Sequence, residues 1–263
     1  MRKMQNSDKE KLVKELYEKY PYPSRKVTSK KEIEYFASWV SKSFGENKTF
    51  WNGKKVLELG CGTGELASSL ALCGAKVTGI DFSSSSIKKA KELSKTLGTE
   101  KSITFIEKNI LQIKETEFNE KFDVVIALGS LHHTINAKKG FEIACTKVKE
   151  NGLVVIGLYN KYSRFRHRIK RFFLWLFCGS DIEKRISFGE KYFGKNGSKS
   201  HSADKYGQVH ESYHSINEIL NWFKENNITF VSSKPTFKKP IIDEIKWLLR
   251  KEAAFFVMVG RKK

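Results

Sequence analysis

Long apolar runs are missing from this sequence: it has no stretch of about 18 consecutive apolar residues, the length needed to span a bilayer. The first thirty residues are charged from the start and lack both an apolar core and a small-residue cleavage site, so we expect no secretory signal. Cysteine is scarce, and the four cysteines form no CxxC pair, which disfavours a disulfide framework and a zinc knuckle. We therefore expect a cytoplasmic protein, soluble or at most peripheral to a membrane.

Acidic residues are few relative to basic ones, 29 against 49, and the net charge is +20 in 263 residues. Such an excess favours nucleic acid or an anionic membrane as a partner through nonspecific attraction. Most of the positive charge, however, is lysine spread along the whole chain, whereas bidentate phosphate recognition favours arginine. Nucleic acid is therefore not the partner that we favour.

One local cluster departs from this even spread. Arg164, Arg166, Arg168 and Arg171 fall within eight residues, and the aromatic run 172–177 follows them. This pattern is typical of an interfacial helix on anionic lipid, of a phosphate clamp, or of a cap helix packed on the domain. We favour the cap helix and keep peripheral membrane contact through 164–177 as an alternative.

The chain is organised as one α/β unit with additions. Residues 1–53 form a preface of two amphipathic helices, broken by two prolines at 20–23. From residue 54 onward, short apolar runs alternate with helical patterns, which predicts parallel strands joined by right-handed crossovers. The predicted strands are 56–59, 76–80, 103–106, 124–128, 153–158, 228–231 and 255–259.

This alternation of apolar runs and helical patterns stops between residues 159 and 213, a segment too long for an ordinary loop. It ends where Ser215 and Glu218 form the pattern of a capping box, which predicts a helix over Ile216–Glu225. We therefore predict a domain over 54–263 that carries a cap insertion at 159–213.

The strongest motif is a glycine-rich turn that follows the first predicted strand. Gly60, Gly62 and Gly64 alternate in it, and such glycines are needed where the backbone takes positive φ or approaches a ligand. Asp81 ends the next apolar run, nineteen residues beyond Gly62, where a carboxylate can accept hydrogen bonds from both hydroxyls of a ribose. The pattern predicts an adenosine-bearing ligand at the carboxyl edge of a parallel sheet.

The spacing of the glycines distinguishes between the two kinds of cofactor that fit this description. A dinucleotide fingerprint places its third glycine after two intervening residues, and the pyrophosphate lies on the helix N-terminus. Here only one residue separates Gly62 from Gly64, and acidic Glu58 precedes the turn. An acidic group repels a pyrophosphate but suits a ligand that carries a sulfonium and an ammonium.

At these residues the chain resembles the class I S-adenosylmethionine-dependent methyltransferases, and the likeness continues over residues 54–160. The resemblance implies a Rossmann-like, doubly wound sheet of seven mostly parallel strands with the last strand antiparallel. It places Leu131-His132-His133 in the position of a motif found in the small-molecule branch. At Asn109 the family commonly has an acidic residue, although an amide oxygen can also accept a hydrogen bond from adenine. The cofactor residues it implies are Glu58, Gly60, Cys61, Gly62, Gly64, Asp81, Phe82, Asn109, Ile110, Ala127 and Leu128.

Few fixed catalytic residues are expected, because methyl transfer mainly requires alignment of donor and acceptor and removal of water. His133, just past the fourth predicted strand, is the candidate base or substrate-orienting group. The segment 210–214 matches H-E-x-x-H letter for letter, but both histidines precede the predicted helix, so no metal is expected. We predict instead a polar and aromatic approach to the acceptor that includes Tyr159, Tyr206, His210 and His214.

Methyl transfer to a small or lipid-like acceptor under the cap is the function we favour, with S-adenosylmethionine as cofactor. One alternative is an RNA methyltransferase acting on transfer RNA, which the basic charge favours. Against it, the sequence after the fourth strand shows no Asn-Pro-Pro-Tyr-type motif, and no RNA-binding module is evident. A second alternative is a cofactor-binding scaffold without catalysis.

Overall fold

A seven-stranded sheet forms the centre of the computed structural model, which describes residues 4–27, 29–195, 197–250 and 253–263. Each predicted apolar run is a strand, and the predictions were correct to within a few residues except at β5, which begins five residues earlier. The strands are β1 (Lys55–Leu59), β2 (Lys76–Asp81), β3 (Ile103–Glu107), β4 (Phe122–Leu128), β5 (Val148–Tyr159), β6 (Ile228–Lys234) and β7 (Phe255–Lys262).

The strand order is β3-β2-β1-β4-β5-β7-β6, and β1 to β5 pair in parallel. The last strand, β7, lies antiparallel between β5 and β6. This confirms the predicted Rossmann-like sheet with its antiparallel last strand. The order reverses between β2-β1 and β4, and ligands of such sheets bind at the carboxyl ends beside this switch point.

Helices cover both faces of the sheet. Successive strand residues point to opposite faces. Leu57 therefore joins the core beneath the helices Ala137–Lys147 and Ile216–Glu225, whereas Val56 joins the core beneath Lys31–Lys42 and Glu65–Leu72. The helices are α1 (Asn6–Lys19), α2 (Lys31–Lys42), α3 (Glu65–Leu72), α4 (Ser84–Leu97), α5 (Ala137–Lys147), α6 (Phe165–Cys178), α7 (Ile182–Phe193), α8 (Lys199–Ser202), α9 (Ile216–Glu225) and α10 (Pro240–Arg250).

The N-terminal segment contains the two predicted helices, α1 and α2, separated by the proline-containing turn. α2 packs on α3, and Trp51, which follows it, is fully buried and donates its indole N–H to the carbonyl of Ala37. α1 lies elsewhere: its Leu16 packs with Ile186 and Ala203 of the insertion. The two N-terminal helices are therefore integrated into the domain rather than set apart from it.

The insertion folds into α6, α7, α8 and a π-helical turn, Ala203–Gly207. The buried guanidinium of Arg185 on α7 holds these pieces together by donating to the carbonyls of Tyr206, Gln208 and Gly179. Beyond the turn, residues 208–214 run along the sheet edge, and the His214 N–H donates to the carbonyl of Tyr159 at 2.9 Å. Within the described ranges, no helix is both long and apolar enough to cross a bilayer.

Candidate active site

A cavity of about 500 Å³ opens at the carboxyl edge of the sheet, at the switch point between β1 and β4. Its floor is formed by the residues that follow β1, β2 and β4, and its roof by α1, α2 and the turn that joins them. Asp204, from the π-helical turn of the insertion, also lines it. Segments far apart in the sequence therefore enclose one space.

The glycine turn after β1 shapes the floor. Gly60 and Cys61 donate their backbone N–H groups to the carbonyl of Ile80, which fixes the turn against β2. Gly62 has φ of +52°, and a Cβ atom there would lie 2.3 Å from the carbonyl oxygen of Tyr22. Any side chain at this position would thus push away the segment that covers the cavity, which explains the glycine.

Asp81 stands at the end of β2 beside this turn. One carboxylate oxygen accepts from the N–H of Gly62 at 3.0 Å, and the other accepts from the N–H of Ser83 at 3.0 Å. Burial raises the pKa of Asp81 to about 6, because desolvation outweighs these hydrogen bonds. The Asp81 side chain lines the cavity, and its contact with ribose hydroxyls stays a prediction.

Glu58, on β1, contributes a second buried carboxylate to the cavity wall. Its Oε2 atom has no hydrogen-bond partner among the described residues. Burial, and then the neighbouring Glu65 and Asp81, raise the pKa of Glu58. A buried, unpartnered carboxylate oxygen among acidic neighbours suits a cationic ligand and disfavours a pyrophosphate, so these residues fit S-adenosylmethionine better than a dinucleotide.

Phe82, Asn109 and Ile110, which the family resemblance places on the adenine side, all line the cavity. The Asn109 side chain is already engaged: its amide oxygen accepts from the N–H of Leu111 at 2.9 Å, and its amide nitrogen donates to Glu10. Since a carbonyl oxygen has two lone pairs, this oxygen can accept one further hydrogen bond.

Most of the other predicted cofactor residues also line the cavity. Gly60, Cys61, Gly62 and Leu128 do so, together with Glu58 and Asp81. Ala127 and Gly64 lie outside it. Ala127 points into the core, because alternate residues of β4 face opposite sides of the sheet, and Gly64 packs against Ala90 and Phe105.

The far end of the cavity is polar and aromatic. His133, on a single 3₁₀ turn after β4, is buried, and its ring centroid lies 6.1 Å from that of Tyr17 and 5.9 Å from that of Tyr159. The Tyr17 hydroxyl donates to Asp204 at 2.9 Å and accepts from the amide of Gln208 at 2.6 Å. α1 and the insertion thus meet directly above the site.

The ionisation of His133 follows from this setting. Its Nδ1 lies 3.3 Å from the carbonyl oxygen of His210. Because a carbonyl can only accept, Nδ1 carries the proton and Nε2 keeps its lone pair. Burial lowers the pKa of His133, so the imidazole is neutral at pH 7. His132, by contrast, packs on the ring of Tyr159 at 3.8 Å and does not line the cavity.

Of the four predicted substrate residues, only Tyr159 lines the cavity. Tyr206 is fully buried against Gly189, and its hydroxyl donates to the carbonyl of Gly194 at 2.7 Å. His210 bonds the carbonyl of Thr134 at 3.0 Å. Tyr206, His210 and His214 bond within the fold instead and do not line the cavity, so their part in the approach to the acceptor stays a prediction.

Side chains of the H-E-x-x-H segment, residues 210–214, form contacts within the fold. The segment lies outside any helix, as the capping box predicted, since Ser215 and Glu218 form that box and α9 begins at Ile216. His214 pairs with Glu218 at 2.9 Å, while Glu211 is buried between arginines. No group of three or more ligand-type side chains in the described parts of the chain is arranged to hold a metal ion.

Sequence reasoning missed Tyr17, Asp204 and Glu10. Each stands on a segment that carries no motif, and Tyr17 and Asp204 are 187 residues apart. The amphipathic pattern of α1 gave the only signal, since it predicted a helix but not the surface that the helix covers.

Comparison with known proteins agrees with this geometry. A family model described as a methyltransferase domain matches residues 51–227, more than half of the chain. The chain belongs to the class I S-adenosylmethionine-dependent methyltransferases. S-adenosylmethionine is the cofactor, and nine of the eleven residues predicted to bind it line the cavity.

Relatives and solved structures give a coarser comparison. Ubiquinone biosynthesis O-methyltransferase from Bradyrhizobium diazoefficiens is 33% identical over 109 residues, 41% of each chain. The same-named protein from Proteus mirabilis is 27% identical over 195 residues, 74% of this chain and 69% of the relative. The chain spans less than half the length of several curated relatives that it matches. The structure of magnesium protoporphyrin IX methyltransferase from Synechocystis PCC 6803 with bound SAH aligns with a TM-score of 0.54 and 15% identity, over 98% of this chain and 95% of that one.

Proposed function

We propose that this methyltransferase transfers the methyl group of S-adenosylmethionine to a hydroxyl oxygen of a small, lipid-like acceptor. The observation that carries the proposal is a neutral, buried histidine at the end of the cofactor cavity, where an acceptor hydroxyl would lie. The relatives that are named O-methyltransferases of ubiquinone biosynthesis support the oxygen atom and the lipid-like character.

The size and lining of the cavity support a small acceptor. At about 500 Å³ it lies within the usual range for small-molecule sites, about 300–1,000 Å³. One wall of the cavity is apolar and aromatic, and it includes Phe36 and Trp39 of α2 and Leu66 of α3. Such a wall favours the apolar part of a substrate, because its burial removes water from the site.

When bound, S-adenosylmethionine supplies an electrophilic methyl carbon on a positively charged sulfur. That methyl group would go to the hydroxyl oxygen of the acceptor, and the cofactor would leave as a neutral thioether. The hydroxyl proton passes to Nε2 of His133, whose lone pair is free because Nδ1 is bonded to the His210 carbonyl. Asp204 and Glu211 favour the resulting imidazolium, since both raise the pKa of His133.

We further propose that 159–213 acts as a cap together with α1. The bond between Tyr17 and Asp204 and the bond from Gln208 join the two segments above His133. This arrangement excludes water from the site of methyl transfer, which such displacements require.

The test compares His133→Gln with His210→Gln as a matched control, since the side chain of His210 lies beside the cavity but outside it. General bases contribute about 10²–10⁴-fold, so His133→Gln lowers kcat at least about a hundredfold. Calorimetry should show nearly unchanged affinity for S-adenosylmethionine. His210→Gln keeps the backbone carbonyl that holds His133 and should change kcat by a few-fold at most.

The assay uses a labelled methyl group and two acceptors: a hydroxylated aromatic compound with an isoprenoid tail, and unmodified transfer RNA. Label on the phenolic oxygen supports the proposal. Transfer to RNA alone would overturn the acceptor class. Equal kcat in His133→Gln and the wild type would overturn the role of the base.

A further inference from the structure

Helix α6 has its polarity reversed relative to an ordinary surface helix. Phe165, Ile169, Phe172 and Leu176 follow one another at helical spacing and form a stripe that is exposed to solvent, with 56% of Phe172 accessible. Surface helices normally turn such a stripe toward the core. The further exposed apolar residues of this helix are Phe173, Trp175 and Phe177.

The opposite face of α6 carries the charges that point inward. Arg164 and Arg171 contact the carboxylate of Glu211, whose side chain is 1% exposed, at 2.8 Å and 3.4 Å. His167 lies 3.6 Å from the same carboxylate. These buried ion pairs fix the rotation of α6 about its axis. The apolar stripe on the other face is therefore held toward solvent.

Helix α10 also exposes an apolar stripe, although it buries Trp247 in the core. Ile241, Ile245 and Leu249 are exposed at helical spacing, with 75% of Leu249 accessible. Glu244 is buried on the other face and accepts from the amide of Asn160 at 2.7 Å and from the N–H of Ile216 at 3.0 Å. A buried glutamate beneath exposed aliphatic side chains is again the inverse of the usual arrangement.

The two helices lie at the same edge of the sheet. Asn160, the residue bonded to α10, directly follows β5 and stands five residues before α6 begins. β7, which α10 precedes, pairs antiparallel with β5, so that Tyr159 at the end of β5 opposes Phe255 at the start of β7. This is the carboxyl edge that carries the cofactor cavity.

The charged residues beside the two stripes indicate the kind of surface that the stripes would contact. α6 contains no acidic residue, and its Arg166 and Arg168 are exposed beside the apolar stripe. Near α10, Lys238, Lys239 and Lys246 are basic, while Asp243 is tied to Lys246 and to backbone N–H groups. Exposed aromatic and aliphatic side chains flanked by Arg and Lys complement an anionic lipid surface, where the apolar groups enter the acyl boundary and the cations meet phosphates.

We propose that the exposed faces of α6 and α10 form a docking surface for an anionic lipid bilayer. The membrane thereby lies against the sheet edge at which the cavity is placed. This surface rests on helix packing and charge, and it does not depend on which acceptor is methylated.

Flotation of the full-length chain with vesicles tests the proposal. The probes are vesicles of phosphatidylcholine alone and vesicles with about one third phosphatidylglycerol, at low salt and at about 0.5 M salt, where the screening length falls to a few ångströms. The chain should float with the anionic vesicles at low salt, at least about tenfold more than with the neutral ones, and less at high salt. Equal flotation with both compositions, or none with either, would overturn the proposal.

The double variant Phe172→Ser/Leu176→Ser removes two side chains of the stripe, and Phe230→Ser/Val231→Ser is its control, because those residues are also exposed and apolar but belong to β6 rather than to α6 or α10. The first variant should lower vesicle binding at least about tenfold, given the usual gain from burying two large apolar side chains. The control should bind like the wild type, and both variants should still bind S-adenosylmethionine, which shows that they fold. If light scattering finds a dimer that only the first variant dissociates, with no flotation, a second copy covers this face and the proposal is wrong.

Discussion

Two buried carboxylates in this protein have pKa values shifted in opposite directions, and their partners explain the difference. Asp81 is bonded only to neutral backbone N–H groups, so burial dominates and its pKa rises to about 6. Glu211 lies between Arg164 and Arg171, and these cations hold its pKa at about 2 although burial opposes them. Glu211 is therefore satisfied within the fold, whereas Asp81 is left for a ligand.

The raised pKa of Asp81 predicts pH-dependent cofactor binding. The ribose hydroxyls donate to the carboxylate, so affinity for S-adenosylmethionine should fall by about tenfold per pH unit below about 6, where Asp81 gains a proton. Calorimetry between pH 5 and 7 measures this. Asp81→Asn should bind at least about tenfold more weakly at pH 7, because a hydrogen bond to a charged group is lost.

Asp123→Asn is the matched control, since Asp123 stands at the opposite end of β4 and bonds Lys55 and Lys149. It should leave both the affinity and its pH dependence unchanged. Glu58 also titrates in the cavity, and the pH dependence that remains in Asp81→Asn reports on it. An identical slope in Asp81→Asn and the wild type would contradict the role of Asp81.

At the scale of elements, the insertion has a small apolar core and is held largely by buried charged side chains. Among its described residues, Ile186 and Ala203 pack with Leu16 of α1, and Leu174 and Tyr206 are also buried. The remaining order comes from the bonds of Arg185 to three carbonyls and from the arginines of α6 around Glu211. The sequence pattern predicted a cap helix at 164–177, where α6 lies, but it did not predict α7 and α8.

Glu211→Gln should therefore destabilise the protein by about 3 kcal/mol, because it leaves two buried arginines without their counter-charge. Glu183→Gln is the control, since Glu183 pairs with Lys19 at an exposed site and such pairs contribute at most about 1 kcal/mol. Urea denaturation at pH 7 gives both free energies of unfolding.

The sign of the pH effect follows from the lowered pKa of Glu211. Its stabilisation is complete above its usual pKa of 4.5 and is lost as pH falls toward about 2. The difference between wild type and Glu211→Gln should therefore shrink below pH 4. A constant difference down to pH 2.5, or equal losses in both variants, would contradict this reading of the network.

At the scale of the whole molecule, the cofactor cavity is closed by segments from both ends of the fold. α1, the turn after it and the insertion all contribute to its roof. A ligand that binds only the folded state shifts the unfolding equilibrium. Because the cavity is lined by segments far apart in the chain, ligand binding should stabilise the whole domain rather than one part of it.

At a concentration of S-adenosylmethionine one hundred times its Kd, the free energy of unfolding should rise by about 2.7 kcal/mol. NAD at the same concentration should leave it unchanged, because Glu58 and Glu65 oppose a pyrophosphate. Thermal and urea unfolding with each ligand measure this. Transfer RNA serves as a further comparison, and tight, steeply salt-dependent binding with methylation of the RNA would contradict a small acceptor.

The sequence by itself determined the sheet, the glycine turn, the position of Asp81 and the start of α9 at Ile216. These follow from local rules, namely the period of apolar residues, the conformations open to glycine and the capping box. Only the tertiary structure decided that Tyr17 meets Asp204 across 187 residues, that Tyr206 packs inward, and that α6 turns its apolar stripe outward. The physical reason is that each of these depends on a partner from a distant segment, as α6 depends on Glu211, and no local pattern encodes which segment that will be.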